Sequence, residues 1–255
     1  MMNHEKSEQR TCGLLGGLSY VSTVDYYNSI NRLISEFLID HSSRIHMVSV
    51  DIFQYTRFLE ESQWSQAADY LLEGVHRLVK SGIDFLVICS NTGHMVVPKI
   101  MEYYPQLVLL HISDAVAFAI KQKKFRKVGF LGTKMTMKLD SCAVKRLIQH
   151  DLDILFPDEE EIDKIHHIIA TQLSINIFSK ESKQIYLKVI QRMYDEHQVE
   201  GVILGCTEIP LLIQQNDIPR VPLFNSTKLH VQLAVEYQLN RCNINDFLPP
   251  NNSKN

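Results

Sequence analysis

The feature that most constrains this chain is a phrase that occurs twice. Cys12-Gly-Leu-Leu-Gly-Gly17 returns in outline as Val128-Gly-Phe-Leu-Gly-Thr133. Each copy is followed, at nearly the same distance, by an apolar run ending in cysteine: Phe85-Leu-Val-Ile-Cys89 and Val202-Ile-Leu-Gly-Cys206. Gly13 to Cys89 is 76 positions and Gly129 to Cys206 is 77. Matched phrases at matched spacing mark a duplicated unit of domain size. Two similar halves are implied, each with one thiol at the end of one apolar run.

Short apolar runs alternate with longer amphipathic segments, the pattern of βαβ units around mostly parallel sheets. Strands are predicted over 11–15, 46–51, 85–88, 107–111, 127–131, 153–156, 201–204 and 221–224. Helical periodicity is clearest over 23–37, 66–81, 114–122, 142–150, 160–173, 180–196 and 227–239. The predicted fold is α/β, with two pseudo-symmetric domains and a site in the cleft between them. Parallel sheets bind ligands at the carboxyl ends of their strands, so halves that face each other would bring Cys89 and Cys206 to one cleft. The expected division is 11–112 plus 222–247 for the first domain and 113–221 for the second, with 1–10 and 248–255 as flexible termini.

Composition excludes several function classes. A formal net charge of -3 gives no footprint for nucleic acid. No run of about 18 apolar residues exists to span a membrane. The first ten residues are polar, without the apolar stretch of a signal peptide, so a cytoplasmic location is expected. The five cysteines are an odd, widely spaced set, read as reduced thiols rather than a disulfide framework. No Cys-x-x-Cys or zinc-finger spacing occurs, and His166 and His167 would point about 100 degrees apart on a helix, so no metal is predicted. The Gly13–Gly17 segment lacks both the Gly-Lys-Ser/Thr ending of a P-loop and the dinucleotide-binding spacing.

Paired thiols suit one reaction in particular. Inverting a carbon acid needs a base on one face and an acid on the other, and two cysteines can exchange those roles. A thiolate is favoured at a helix N-terminus, and Ser90-Asn91-Thr92 and Thr207-Glu208 read as helix starts. Backbone N–H groups there could hold a substrate α-carboxylate. Ser19, Thr23, Ser90, Asn91, Thr92, Thr133 and Thr207 are candidate substrate contacts, with capping and turn formation as their structural alternative. His94 and Glu208 could tune the thiols or cap helices. Cys12, Cys142 and Cys242 read as packing residues.

Taken together, these phrases resemble the pyridoxal-independent aspartate/glutamate racemase family over about residues 11–240. The resemblance rests on Gly13-Leu-Leu-Gly-Gly-Leu-Ser19 with Ser22-Thr-Val-Asp-Tyr-Tyr27, and on Cys89-Ser-Asn-Thr92 with His94. It continues through Gly132-Thr-Lys-Met-Thr-Met137, Gly205-Cys-Thr-Glu-Ile-Pro210 and Val221-Pro-Leu-Phe-Asn225 with His230. Ser90 and Glu208 fit its aspartate racemase-like branch, since glutamate racemases usually show Cys-Asn-Thr and Gly-Cys-Thr-His. The resemblance implies cofactor-independent racemisation of aspartate or glutamate with Cys89 and Cys206 as the acid-base pair, in a homodimer. Asn225 departs from the Asp of many relatives, and Leu59 stands near where relatives can carry a polar, substrate-facing residue. Lys164 matches a lysine of close relatives and is the preferred partner for an acidic substrate side chain; Arg44 and Arg57 are weaker candidates. A broad-specificity or hydantoin racemase, a decarboxylase-like relative, and a binding protein without turnover are the alternatives.

Overall fold

In the computed structural model, residues 9–250 are described, and they form two four-stranded parallel sheets. The first contains β1 (Cys12–Gly16), β2 (Ile45–Ser49), β3 (Phe85–Ile88) and β4 (Val108–Leu110), in the order β2-β1-β3-β4. The second contains β5 (Lys127–Leu131), β6 (Asp153–Leu155), β7 (Val202–Leu204) and β8 (Leu223–Asn225), in the order β6-β5-β7-β8. The two orders are the same when each half is numbered from its own first strand, so the repeated phrase marks a repeated topology.

Central strands are apolar without alternation because helices cover both faces of a parallel sheet. β1 and β3 are buried at every position, whereas the edge strand β2 is exposed at His46, Met47 and Ser49. Leu14 and Leu15 point to opposite faces, as neighbours in a strand must. Leu14 packs with Tyr26, Ile30 and Ile34 of α1 (Tyr20–Phe37). Leu15 packs with Leu71 and Val75 of α3 (Trp64–Lys80) and Ile100 of α4 (Val97–Tyr103). The short helix α2 (Ile52–Glu60) precedes α3, with Asp51 capping it through the amide of Phe53. The second sheet is flanked by α6 (Cys142–Gln149), α7 (Glu159–Thr171) and α8 (Lys180–His197), which share one core with it. Glu159, Glu160 and Glu161 fill the first turn of α7, complementing its dipole.

Two helices join the halves. α5 (Ile112–Gln122) gives Ala115 to the first core and Val116, Ala117 and Ile120 to the second. α10 (Ser226–Gln238) packs on both α5 and α1. The expected division at 221/222 is therefore displaced: Leu223–Asn225 pairs with β7 in the second sheet, and the chain returns to the first core only with Val231 and Ala234. Apolar Leu223 and Phe224 complete the β7 edge before the chain can leave.

The expected flexible start is also corrected for its last two residues. Arg10 donates its amide to the Gln238 carbonyl at 3.0 Å, and the Gln9 amide group donates to the Ser42 carbonyl at 3.2 Å. Residues 1–8 and 251–255 lie outside the described residues. Among the described residues no helix is long and apolar enough to cross a membrane.

Candidate active site

Both cysteines lie at carboxyl ends of central strands, but their placement differs by one residue. Leu15 pairs with Ile88 and Leu131 with Leu204. The next amide continues each ladder: Cys89 donates to the Leu15 carbonyl at 2.9 Å, and Gly205 to that of Leu131 at 2.6 Å. Cys89 thus corresponds to Gly205, and Cys206 begins the loop one position later. This is the structural origin of the extra residue in the second spacing.

Around Cys89 the chain is held by polar contacts that reach across the molecule. Ser90 Oγ accepts from the Gly93 amide at 3.2 Å. Asn91 donates from Nδ2 to Ser226 Oγ at 3.2 Å, and Ser226 donates to the Leu204 carbonyl at 2.7 Å. A hydrogen-bonded bridge therefore connects the loop after Cys89 with the strand leading to Cys206. His94 donates from Nδ1 to the Ser90 carbonyl at 2.7 Å, and its Nε2 accepts from the Ile112 amide at the start of α5. These two bonds require the neutral ring, and burial pulls its pKa from 6.5 to about 4. His94 is thereby a tie between the Cys89 loop and α5.

Cys206 has a partner that Cys89 lacks. Its thiol donates to Glu208 Oε2 at 3.0 Å, and Thr207 Oγ1 donates to the same oxygen at 2.9 Å. Glu208 is only 5% exposed. The amides of Glu208 and Ile209, where α9 (Ile209–Leu212) starts, face the sulfur and favour its thiolate. Burial, followed by the Glu208 carboxylate, nevertheless holds the Cys206 thiol well above its usual value. Burial alone raises Cys89. Both thiols are thereby held in the protonated form at neutral pH.

Several hydroxyls hydrogen-bond within their own turns. Thr23 Oγ1 donates to the Ser19 carbonyl and accepts from the Gly17 amide, both at 2.8 Å. Gly17 has φ +88, and a Cβ there would lie 2.1 Å from the Val50 carbonyl oxygen, so glycine is required at this turn. Ser19 itself has φ 145, and its buried Oγ has no hydrogen-bond partner. Thr133 shares a hydrogen bond with Thr136 Oγ1 at 3.2 Å.

A cavity of about 400 Å³ opens between the halves over the ends of β1, β3 and β5. Its floor includes Ser90, Thr92 and Thr133, with Leu18 and Met135. One wall is a stripe of α2, Ile52, Tyr55, Thr56, Leu59 and Glu60, spaced as one helical face; the other is His166 and Ala170 of α7. Neither thiol lines it: Cys89 is fully buried and Cys206 is 8% exposed. A second cavity of about 280 Å³ shares Thr92 and Met135 and borders Cys142, which is half-buried beside it with Trp64 and Met95. Cys12 lies in the first core and Cys242 packs against it, as expected.

Other expected contacts are not brought together. Lys164 is exposed on α7, its ammonium 2.5 Å from Glu160 one turn earlier. Arg44 lies at the opposite, amino end of the first sheet, bonded to the Gln9 carbonyl, and Arg57 pairs with Glu61 at 3.1 Å on the outer side of α2. Asn225 caps α10 by accepting from the Lys228 amide at 2.9 Å and lines a separate groove with Pro210 and Gln214. Leu59 does line the cavity. Sequence reading missed Tyr55, Met135 and the α2 stripe, although Asp51 before an i, i+3, i+4 pattern was a usable signal; it weighed His166 only as a metal ligand. Among the described residues no group of three or more His, Cys, Asp or Glu side chains could hold a metal ion.

The arrangement of two duplicated α/β halves with a cleft over their strand ends has close parallels. A Yersinia pestis protein provisionally classed as an Asp/Glu racemase is 35% identical and superposes with a TM-score of 0.82 over 90% of this chain and 99% of its own. An aspartate racemase homologue from Pyrococcus horikoshii OT3 is 28% identical, with a TM-score of 0.76 over the same shares. A glutamate racemase of Streptococcus pneumoniae is 31% identical over 168 residues, 63% of this chain and 60% of the relative. Residues 15–234 match the family described as Asp/Glu/hydantoin racemase, and the chain belongs to that family.

Proposed function

We propose that this chain is an amino-acid racemase that moves the α-proton between opposite faces of its substrate with Cys89 and Cys206. The observation that carries this reading is the Asn91–Ser226–Leu204 bridge, which ties the two thiol-bearing strand ends across the halves. In the proposed cycle one thiolate removes the proton from Cα, the electron pair delocalises into the carboxylate, and the other thiol protonates the opposite face. No electrons are gained or lost, and no cofactor is needed. Glu208 is placed to take the proton of Cys206, and the substrate ammonium supplies the positive charge that favours a thiolate. Ser19, Ser90, Asn91, Thr92, Thr133 and Thr207 lie at the strand ends where the α-carboxylate would sit, and Ser19 offers its unpaired hydroxyl.

Because neither sulfur lines the cavity, substrate must part the two halves to reach them. The same proposal includes pairing with a second copy, for which the exposed α1 stripe Tyr20, Val24 and Tyr27 provides an apolar face; sedimentation equilibrium reads that directly. Aspartate and glutamate, in the names of the relatives, are the reference substrates. The test is incubation with single enantiomers in deuterated water, followed by proton NMR and chiral chromatography. Deuterium should enter Cα together with inversion for the intact chain and fail to enter with Cys89→Ser/Cys206→Ser. Exchange undiminished in the double variant would sink the two-thiol mechanism.

A further inference from the structure

The cavity above the strand ends also speaks to the substrate's side chain, an inference that rests on the racemase reading. The α2 wall carries Ile52, Tyr55 and Leu59, and Met135 faces it from the second half. The lining holds one carboxylate, Glu60, and one imidazole, His166, and no lysine or arginine. Glu60 is acidic. His166 is pulled below its ordinary value, by burial first and by Lys134 next, so it is neutral at pH 7, and its Nδ1 is buried without a partner.

Cations exist on neighbouring turns, yet each is engaged elsewhere. Lys164 pairs with Glu160, Arg57 with Glu61 and Lys134 with Asp163. None lines the cavity. A carboxylate placed beside Ile52, Leu59 and Met135 would meet neutral hydroxyls, the neutral imidazole of His166 and the like charge of Glu60, with no cation among the lining residues to pair with it. An aliphatic or thioether side chain needs no counter-ion and gains contact with Ile52, Leu59 and Met135.

We propose that the substrate's side chain is uncharged and apolar, of the leucine or methionine kind, with Leu59 at the middle of the α2 wall as a specificity-determining residue. The experiment compares leucine, methionine, aspartate and glutamate, both enantiomers of each, by α-hydrogen exchange in deuterated water and by thermal shift. For the intact chain, kcat/KM for leucine or methionine should exceed that for either acidic amino acid by about tenfold or more. Leu59→Arg supplies a guanidinium within the cavity and should reverse the order. Leu59→Ala, a milder change, should weaken leucine and methionine without admitting aspartate.

A preference for aspartate or glutamate in the intact chain would overturn this assignment and leave the racemase reading standing. If no amino acid exchanges, yet leucine or methionine raises Tm and aspartate does not, the side-chain assignment holds and the racemase reading falls. No exchange and no thermal shift with any of the four overturns both. An unchanged order in folded Leu59→Arg and Leu59→Ala, checked by circular dichroism, removes Leu59 from the specificity role.

Discussion

The two thiol-bearing strand ends share a topology and differ in nearly everything that sets a thiol's chemistry. Cys89 occupies the ladder position that Gly205 fills in the second half, and it has no charged neighbour raising or lowering it. Cys206 stands one residue farther out, donates to Glu208, and is faced by two backbone amides. The residue two positions on diverges as well: Asn91 reaches across to Ser226, whereas Glu208 folds back on its own cysteine. Duplication supplied two matching frames, and the side chains beside each thiol then made one a tie between halves and the other a thiol–carboxylate pair.

The largest effect should come from removing either thiol. Cys89→Ser and Cys206→Ser should each lose inversion by about 10²–10⁴-fold, the usual worth of a positioned acid or base. The remaining thiol can still take a proton from its own face and return a deuteron there. Each single variant should thus retain slow exchange with one enantiomer, and the two should prefer opposite enantiomers. Identical enantiomer preference in both would break the idea that the strand ends address opposite faces.

Acid should act on the joint between the halves before it acts on the thiols. His94 is held neutral with a pKa of about 4, and His230 of about 3, chiefly by burial. His230 donates to the Leu110 carbonyl at 2.8 Å and shares a hydrogen bond with Tyr26. In the unfolded chain both titrate near 6.5, so between that pH and about 4 the unfolded state binds more protons and stability falls as pH falls. At pH 4.5 each ring contributes roughly 2–3 kcal/mol of lost stability relative to pH 7.5. Urea midpoints measured across that range should fall steadily below pH 6.5, and His94→Gln should flatten the slope; a flat wild-type profile would contradict the buried neutral rings.

Glu208→Gln sharpens the contrast between the thiols at smaller cost. With the carboxylate's charge removed, burial alone would hold the Cys206 thiol up, so it should deprotonate at lower pH while Cys89 is unmoved. Chloroacetamide labelling followed across pH by peptide mass spectrometry reads the two sites separately. Turnover should fall about tenfold, because the proton acceptor beside Cys206 is lost. Equal movement of both labelling midpoints would show that the two thiols titrate as one coupled pair.

The fold was legible in the sequence because its signals are local. The run at 85–88 is apolar throughout and that at 127–131 is uncharged after its entry residue Lys127, as strands of a covered parallel sheet are, and both match the observed strands residue for residue. α2, which builds one wall of the cavity, was missed because its nine residues carry only a short period, and its one clear mark was Asp51 at the cap. The one-residue offset between Cys89 and Cys206 was visible in the spacing but had no meaning until the ladder showed Gly205 in the place of Cys89. The Asn91–Ser226 contact joins positions 135 apart, and no pattern along a chain announces such a pair.

Lys164 makes the smallest and most discriminating prediction. Resemblance assigned it to an acidic substrate side chain, whereas the fold leaves its ammonium beside Glu160, with the side chain 55% exposed. An exposed pair one helical turn apart contributes little to stability. Lys164→Ala should therefore shift Tm by no more than about 2 °C and leave kcat/KM for leucine or methionine within about twofold. Its face of α7 differs from that of His166 and Ala170, which line the cavity, so the side chain would have to leave Glu160 and cross the helix surface to reach a substrate. A loss of tenfold or more confined to aspartate and glutamate would mean that it does so, and that the second half closes on an acidic side chain by recruiting a cation from outside the cavity.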